Sequence, residues 1–543
     1  MSEGAHANAG EALLALADEC GTDVVFGIVS IHNQPIIDAV VHGTRFVPVR
    51  HEAAAVNAAD AYARVTGRLG VAVTSTGTGA GNAAGSLIEA LTAGSPVLHV
   101  TGQIDSPYLG RGLGVIHETK DQRSMLDAVS KKAFTVVDAD ETASTLWSAA
   151  AVAMSAPRGP ASVEITIDVQ YRPGRAARPV APEVRRPLDD EVVARAADLL
   201  SAARRPAFWL GGGAVGSADA IRGLAERCGA AVFTSNAGRG TLDERHPQVV
   251  GNFAASAEGQ RLLDEADLLL SIGTHFRSNE TRHYKLRLPA PHIQIDVDPA
   301  AVGRAFPVDV ALLGDAGEVV ERILACTAQV EPDPTWVERT RRARLAAREQ
   351  LRADIGPYAE LCDAIRATLP SESPIVRDVT IPASAWGNRL LDIHHPSTNI
   401  NARGGGIGQG LAMALGAALG RPSVPTLAMI GDGGLAVHLG ELGSVAQEQP
   451  WLVMLVFNDG GYGVLRNLQD EHFGRRAGVD LATPDFELLA RAHGIQHRLL
   501  RTADESMAVL ADAVVQRAPV LVEVDCDSFG PMPTPFVPPV PVK

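Results

Sequence analysis

The sequence predicts an α/β protein of three doubly wound, mainly parallel-sheet domains, and three observations carry that prediction. Short apolar runs rich in Val, Ile and Leu recur along the chain, each bounded by Gly, Pro or Asp, and read as buried strands. Ala-rich or amphipathic stretches of helical length lie between them, and such alternation implies crossover connections and therefore parallel pairing. The length of 543 residues exceeds one ordinary core, and a composition of 46% hydrophobic against 20% charged residues supplies ample material for buried sheets.

Taken in order, the first block covers residues 1–170. TDVVFGI, RFVPVR, LGVAVTS and SPVLHVTG read as its strands, with HEAAAVNAADAYARVTG and AGNAAGSLIEALTAG as helices and ASVEITIDV before the linker. Residues 171–188 are rich in Pro and Arg without apolar periodicity and read as a linker. The second block, 189–330, has PAFWLGGGAVG, AAVFTSN, ADLLLSIGT and PHIQIDVDP as strands, and 331–355 is a charged helical connector. The third block, 356–543, carries SPIVRDV, TLAMIGD, WLVMLVFND and APVLVEVD, then a Pro-rich tail expected to run extended.

Charge and cysteine usage remove several function classes. With 48 Lys+Arg against 63 Asp+Glu the net charge is −15, which argues against a general binder of nucleic acid or anionic membrane. Five scattered cysteines without CxxC spacing indicate neither a zinc site nor a disulfide framework. The N-terminus lacks a basic segment leading into an apolar one, and no apolar stretch is long enough to span a bilayer, so a cytoplasmic protein is expected.

The chemistry concentrates between Ile430 and Gly463, where GDG and NDGG each follow an apolar run. In parallel α/β sheets ligands sit beyond the carboxyl ends of strands, where both clusters fall. Gly431 and Gly433 let the backbone turn tightly around Asp432, and Asn458 and Asp459 add oxygen donors at a neighbouring strand end. Such donors suit a hard divalent ion that also holds a diphosphate. Asp, Asn and Gly dominate ordinary turns as well, so each cluster alone reads as a loop. The spacing of GDG, 24 residues, then Asn458 shifts that balance.

This spacing resembles the metal and diphosphate motif of the thiamine diphosphate enzymes, and the resemblance covers nearly the whole chain. Glu52, just after a strand in VRHEAAAVNAADAYARVTG, matches the family's glutamate that pairs with the cofactor's aminopyrimidine and favours the imino tautomer. The segment NARGGGIGQGLAMALGAALG resembles the glycine-rich entry to a helix, with Gly405 bordering the cofactor and Ile407 propping it into its bent form. The order of domains, pyrimidine-binding, central and diphosphate-binding, is similar to the branch holding acetolactate synthase, pyruvate oxidase, benzoylformate decarboxylase, benzaldehyde lyase and oxalyl-CoA decarboxylase. By that likeness Asp432, Asp459 and the carbonyl of Gly461 would hold Mg2+ or Ca2+. Relatives commonly carry Asn-Asn where this chain has Asn458-Asp459, which keeps Asn458 open as the rival ligand; Tyr462 would border the cofactor.

The resemblance implies a 2-oxo acid decarboxylase or acetolactate synthase-like carboligase, with a 2-hydroxyacyl-CoA or oxalyl-CoA lyase as the alternative. A nucleotide-binding dehydrogenase or an inactive scaffolding homologue would leave these motifs without purpose. His117 falls where relatives carry a glutamine or histidines and is a candidate proton relay. Ser30, Ile31, His32, Ser75, Thr76, Gln103 and Glu118 are weaker candidates for substrate contact. Arg277 and Arg403 are the cations that CoA phosphates would need. GGGAVG fits GxGxxG after a strand, but such a match alone is weak; it reads as a stabilising turn, with FAD or an adenine nucleotide left open. The family's shared sites imply a homodimer or homotetramer.

Overall fold

The protein is described by a computed structural model covering residues 5–176, 188–328 and 330–532. Much of the anticipated linker (177–187) and the Pro-rich tail from 533 lie outside the described residues.

Three six-stranded sheets organise the chain, each fully parallel. The N-terminal sheet runs Arg45–Pro48, Val24–Gly27, Gly70–Thr74, Val97–Gln103, Ala161–Thr166, Lys132–Val136. The C-terminal sheet runs Asn399–Asn401, Ile375–Arg377, Thr426–Gly431, Leu452–Asn458, Val520–Asp525, Gln496–Leu500. Counted along the chain, both have the order 2-1-3-4-6-5, whereas the central sheet has 3-2-1-4-5-6. The inner strands are buried along their length because helices cover both faces.

The strands that sequence patterning overlooks are Lys132–Val136, Val249–Gly251, Val310–Leu313, Asn399–Asn401 and Gln496–Leu500, all at sheet edges. An edge strand is half solvated, so its pattern is mixed, or it is too short to show a period. One further difference concerns the linker. Gly174–Arg175 pairs antiparallel with Ala5–His6, so the start of the 171–188 segment is tied to the N-terminal block.

Two buried junctions fix the blocks to one another. Helix Glu52–Thr66 packs against helix Gly410–Gly420, and their Ala- and Gly-rich faces meet so closely that a methyl on Gly416 would collide with the Ala58 backbone. Alongside, Arg64 bonds Asp60, Glu89 and the carbonyl of Asn401. The central sheet is clamped to the C-terminal block by the buried Arg239–Glu244 pair at 2.6 Å, with Arg239 donating to the carbonyls of Gly387 and Leu391. Among the described residues no helix is long and apolar enough to cross a membrane.

Candidate active site

Two loops at the carboxyl end of the C-terminal sheet meet around Asp432 and Asp459. Asp432 opens the short helix Asp432–Val437 after strand Thr426–Gly431 and is 3% exposed. The backbone N–H groups of Gly433, Gly460 and Gly461 face its carboxylate, yet Oδ2 has no hydrogen-bond partner. Burial, then the charge of Asp459, pushes this carboxyl up to about 6. Asp459 is raised as well, by burial, and its Oδ1 also lacks a partner although Arg466 stands 3.9 Å away. A buried and a half-buried carboxylate, each with an orphaned buried oxygen, side by side are an unfavourable arrangement that a hard cation would neutralise.

Asn458 is turned elsewhere, donating from Nδ2 to Glu523 Oε1 at 2.8 Å, while His497 Nε2 lies 3.1 Å from Glu523 Oε2. Gly461, at φ +148°, brings its carbonyl against Gly433, and a methyl on Gly433 would run into the Tyr462 ring. Among the described residues no group of three or more His, Cys, Asp or Glu could hold a metal ion. Two carboxylates and a backbone carbonyl at these turns are hard oxygen donors of the kind that would fit magnesium or calcium together with a diphosphate, and would not suit zinc.

The glycine-rich segment before helix Gly410–Gly420 is held from both sides. Glu89, from the N-terminal block, accepts the N–H groups of Arg403 and Gly404, and Asp378 accepts that of Gly408 at 3.0 Å. Between these anchors Gly405, at φ +87°, faces open space and Ile407 is 39% exposed. An apolar side chain held out on a pinned loop fits a ligand-facing role. Neither Glu89 nor Asp378 lies in a recognisable sequence motif, and only the fold brings them here.

At the corresponding end of the N-terminal sheet, Glu52 is the first residue of helix Glu52–Thr66 and keeps a partly exposed carboxylate. Asn82 donates to its Oε2 at 3.0 Å, and Gly79 leaves no room for a side chain beside Oε1. His117 is half-buried at φ +67°, with His32 packed edge-to-face against it. Ile31 is 72% exposed, and the Ser30 hydroxyl is buried without a partner.

Of the other substrate candidates, Thr76, Gln103 and Glu118 have their side-chain polar groups engaged within the domain. Thr76 donates to Gln122, Gln103 binds Glu164 and the Ile104 N–H, and the Glu118 carboxylate accepts three N–H groups of its own loop, from Gly112, Gly114 and Val115. Ser75 is buried and offers its carbonyl to Thr101. Sequence reading missed Gln122, whose amide ties Thr76, Gly77, Gly102 and Glu164 together under this loop. The candidate CoA-binding cations are likewise committed, since Arg277 donates to the carbonyls of Arg403 and Thr92, and buried Arg403 to that of Ala93. GGGAVG forms a 3-10 turn, Gly212–Ser217, with Gly211 and Gly213 pressed on the backbone at Gly273, and helix Ala218–Cys228 begins only afterwards. Its glycines serve backbone packing.

Paired parallel sheets of one order, a Rossmann-ordered sheet between them, and a carboxylate pair beside a glycine-rich loop define a cofactor-dependent enzyme, and the chain belongs to the thiamine pyrophosphate enzyme family. Family models for the N-terminal thiamine pyrophosphate-binding domain, the central domain and the C-terminal thiamine pyrophosphate-binding domain match residues 7–130, 193–323 and 382–524. The chain is 34% identical to the probable 2-ketoarginine decarboxylase AruI of Pseudomonas aeruginosa, over 95% of this chain and 93% of that protein. It is 29% identical to the acetolactate synthase isozyme 2 large subunit of Escherichia coli, over 96% and 95% of the two chains. Against a probable acetolactate synthase large subunit of Methanocaldococcus jannaschii the identity is 26%, over 97% and 93%.

Proposed function

We propose that this thiamine diphosphate-dependent enzyme uses magnesium, with calcium the other cation its donors would accept, to cleave the bond between the carbonyl and carboxylate carbons of a 2-oxo acid. Carbon dioxide leaves, and the remaining fragment departs as an aldehyde or is passed to a second carbonyl. The observation that carries this reading is the Asp432–Asp459 pair with its two orphaned, buried oxygens, in a chain of this family. Asp432, Asp459 and the Gly461 carbonyl hold the cation. Glu52 binds the ring nitrogen and Ile407 supports the cofactor from the glycine-rich loop. Bound thiamine diphosphate supplies the electron sink. His117, at the mouth of the N-terminal half, supplies or accepts the proton when aldehyde is released.

The sites are shared between the N-terminal block of one subunit and the C-terminal block of another, in a dimer or tetramer. Exposed apolar residues flank both halves, among them Ile31 and Ile116 on one side and Leu465 and Phe473 on the other, and a second copy would cover them. No observation favours the CoA-lyase reading, because its cations are spent on carbonyls within the fold. The test loads the protein with thiamine diphosphate and Mg2+ and offers 2-oxo acids, including one with a guanidinium side chain as the relative's name suggests, alongside acyl-CoAs. Mass spectrometry of the products is expected to show carbon dioxide loss from a 2-oxo acid; turnover of acyl-CoAs alone would sink the reading.

A further inference from the structure

We propose that His32 and His117 act as one imidazole pair holding a single proton at the cleft mouth, with His32 the positioning residue that governs how His117 delivers it. This rests on the 2-oxo acid reading above. The rings lie edge-to-face with centroids 5.2 Å apart and planes at 86°. Their approach is built into the backbone. A methyl on Gly77, itself at φ +61°, would collide with the His117 carbonyl, and one on Gly102 with that of His32.

Each backbone is then locked from outside the pair. Asn33 accepts the Ser30 N–H and donates to the carbonyls of Ile28 and Thr74, and Gln170 donates to the His32 carbonyl at 2.8 Å. Gln122 Oε1 accepts the Gly77 N–H at 2.6 Å. His117 holds a left-handed backbone conformation that is unfavourable for a non-glycine residue and persists only where its surroundings enforce it.

The electrostatics favour at most one charged ring in the pair. His32 is 5% exposed and its Nδ1 is buried with no partner. Burial lowers its proton affinity, the charge of His117 lowers it further, and Asp105 opposes both; these are the titrating groups that face it. A positive charge on one ring therefore disfavours a second on the other. The step served is R–CO–COO⁻ + H⁺ → R–CHO + CO₂: the carbon–carbon bond breaks, its electron pair stays with the former carbonyl carbon, and that carbon takes one proton from the pair before the aldehyde leaves. A pair that delivers this proton late leaves more of the fragment to a second carbonyl.

The experiment replaces His32 with Gln and, keeping a ring but no proton site, with Phe. Both are expected to lower kcat for aldehyde about tenfold or more with KM within twofold, and to raise the fraction of ligated product. Proton exchange at the thiazolium carbon should stay at the wild-type rate. Independently of turnover, NMR titration of the cofactor-free protein should show the His32 imidazole titrating at higher pH in His117→Gln than in wild type. This second readout does not require the His32 variants to fold. An unmoved His32 midpoint, or unchanged kcat and product ratio in the folded variants, overturns the inference. Wild-type protein that turns over no 2-oxo acid overturns the reading beneath it, and the inference with it.

Discussion

At the Asn458-Asp459 pair the two candidate ligands differ in surroundings, since Asn458 Nδ2 donates to Glu523 while Asp459 Oδ1 has no partner. Asp459→Ala is expected to weaken Mg2+ and thiamine diphosphate binding together by more than about tenfold, since the cation's charge complement falls by one carboxylate. Asp459→Asn, which keeps an oxygen at the same reach, should be milder. Asn458→Ala should leave both affinities within about threefold, because the Asn458 side chain is turned to Glu523, to which its Nδ2 donates. Titration of the cofactor-free protein at fixed Mg2+ reads all three; the reverse order for Asn458 and Asp459 would assign the ligand to Asn458. For Glu52→Gln, the amide preserves size but not the charge that favours the imino tautomer. Turnover is expected to fall on the order of 10²- to 10⁴-fold with cofactor binding retained, and proton exchange at the thiazolium carbon should slow in step.

Among the elements, the glycine-rich loop and the GDG turn both depend on buried carboxyls. Burial pushes Asp378 up to about 6 even though backbone N–H groups from residues 379 and 408–410 point at it. An amide has one accepting oxygen, so Asp378→Asn must leave an N–H at Val379 or Gly408 unpaired, costing about 1–3 kcal/mol. Lost hydrogen-exchange protection across residues 404–410 and weaker cofactor binding are expected; unchanged protection would count against Asp378 as the loop's anchor.

The GDG turn gives a pH dependence. Asp432, with a folded-state affinity for protons above that of an unfolded carboxyl, favours the metal-free fold most below the unfolded value, and this advantage is lost as pH rises through about 6. Cation binding has the opposite sign, because the carboxyl must give up its proton. Calorimetry is expected to show Mg2+ affinity falling about tenfold per pH unit below 6 and levelling off above it. Affinity that is flat from pH 5 to 7 would remove Asp432 from the ligand set.

For the whole molecule, the central question is whether Glu52 and Asp432 serve one site from two subunits. Asp432 follows the third strand of its sheet, at the switch point beside the first, Glu52 follows the edge strand Arg45–Pro48 of the other, and the two sheets share one strand order. If the sites are shared, mixing inactive Glu52→Gln protein with inactive Asp432→Ala protein should recover about a quarter of wild-type activity after random exchange into dimers. In such a hybrid one of two sites has both residues intact. Verified subunit exchange without recovery would place both residues in one subunit's site.

The inner strands, the helices after Glu52 and before GDG, and the carboxylates placed at neighbouring strand ends by Asp432 and Asp459 were legible in the sequence, because periodicity, glycine placement and spacing are local properties of the chain. Edge strands were not, since a half-solvated or three-residue strand leaves no period to read. Nor were Glu89, Asp378, Gln122 and the contact of His32 with His117, which join residues 85 apart in the last case and 314 apart for Glu89 with Arg403. The commitment of Arg277 and Arg403 to carbonyls, and of Asn458 to Glu523, also depends on which groups the folded chain places within about 3 Å, the reach of a hydrogen bond. Sequence determined which chemistry the strand ends could offer; tertiary structure decided which of those side chains remain unpaired and available to use it.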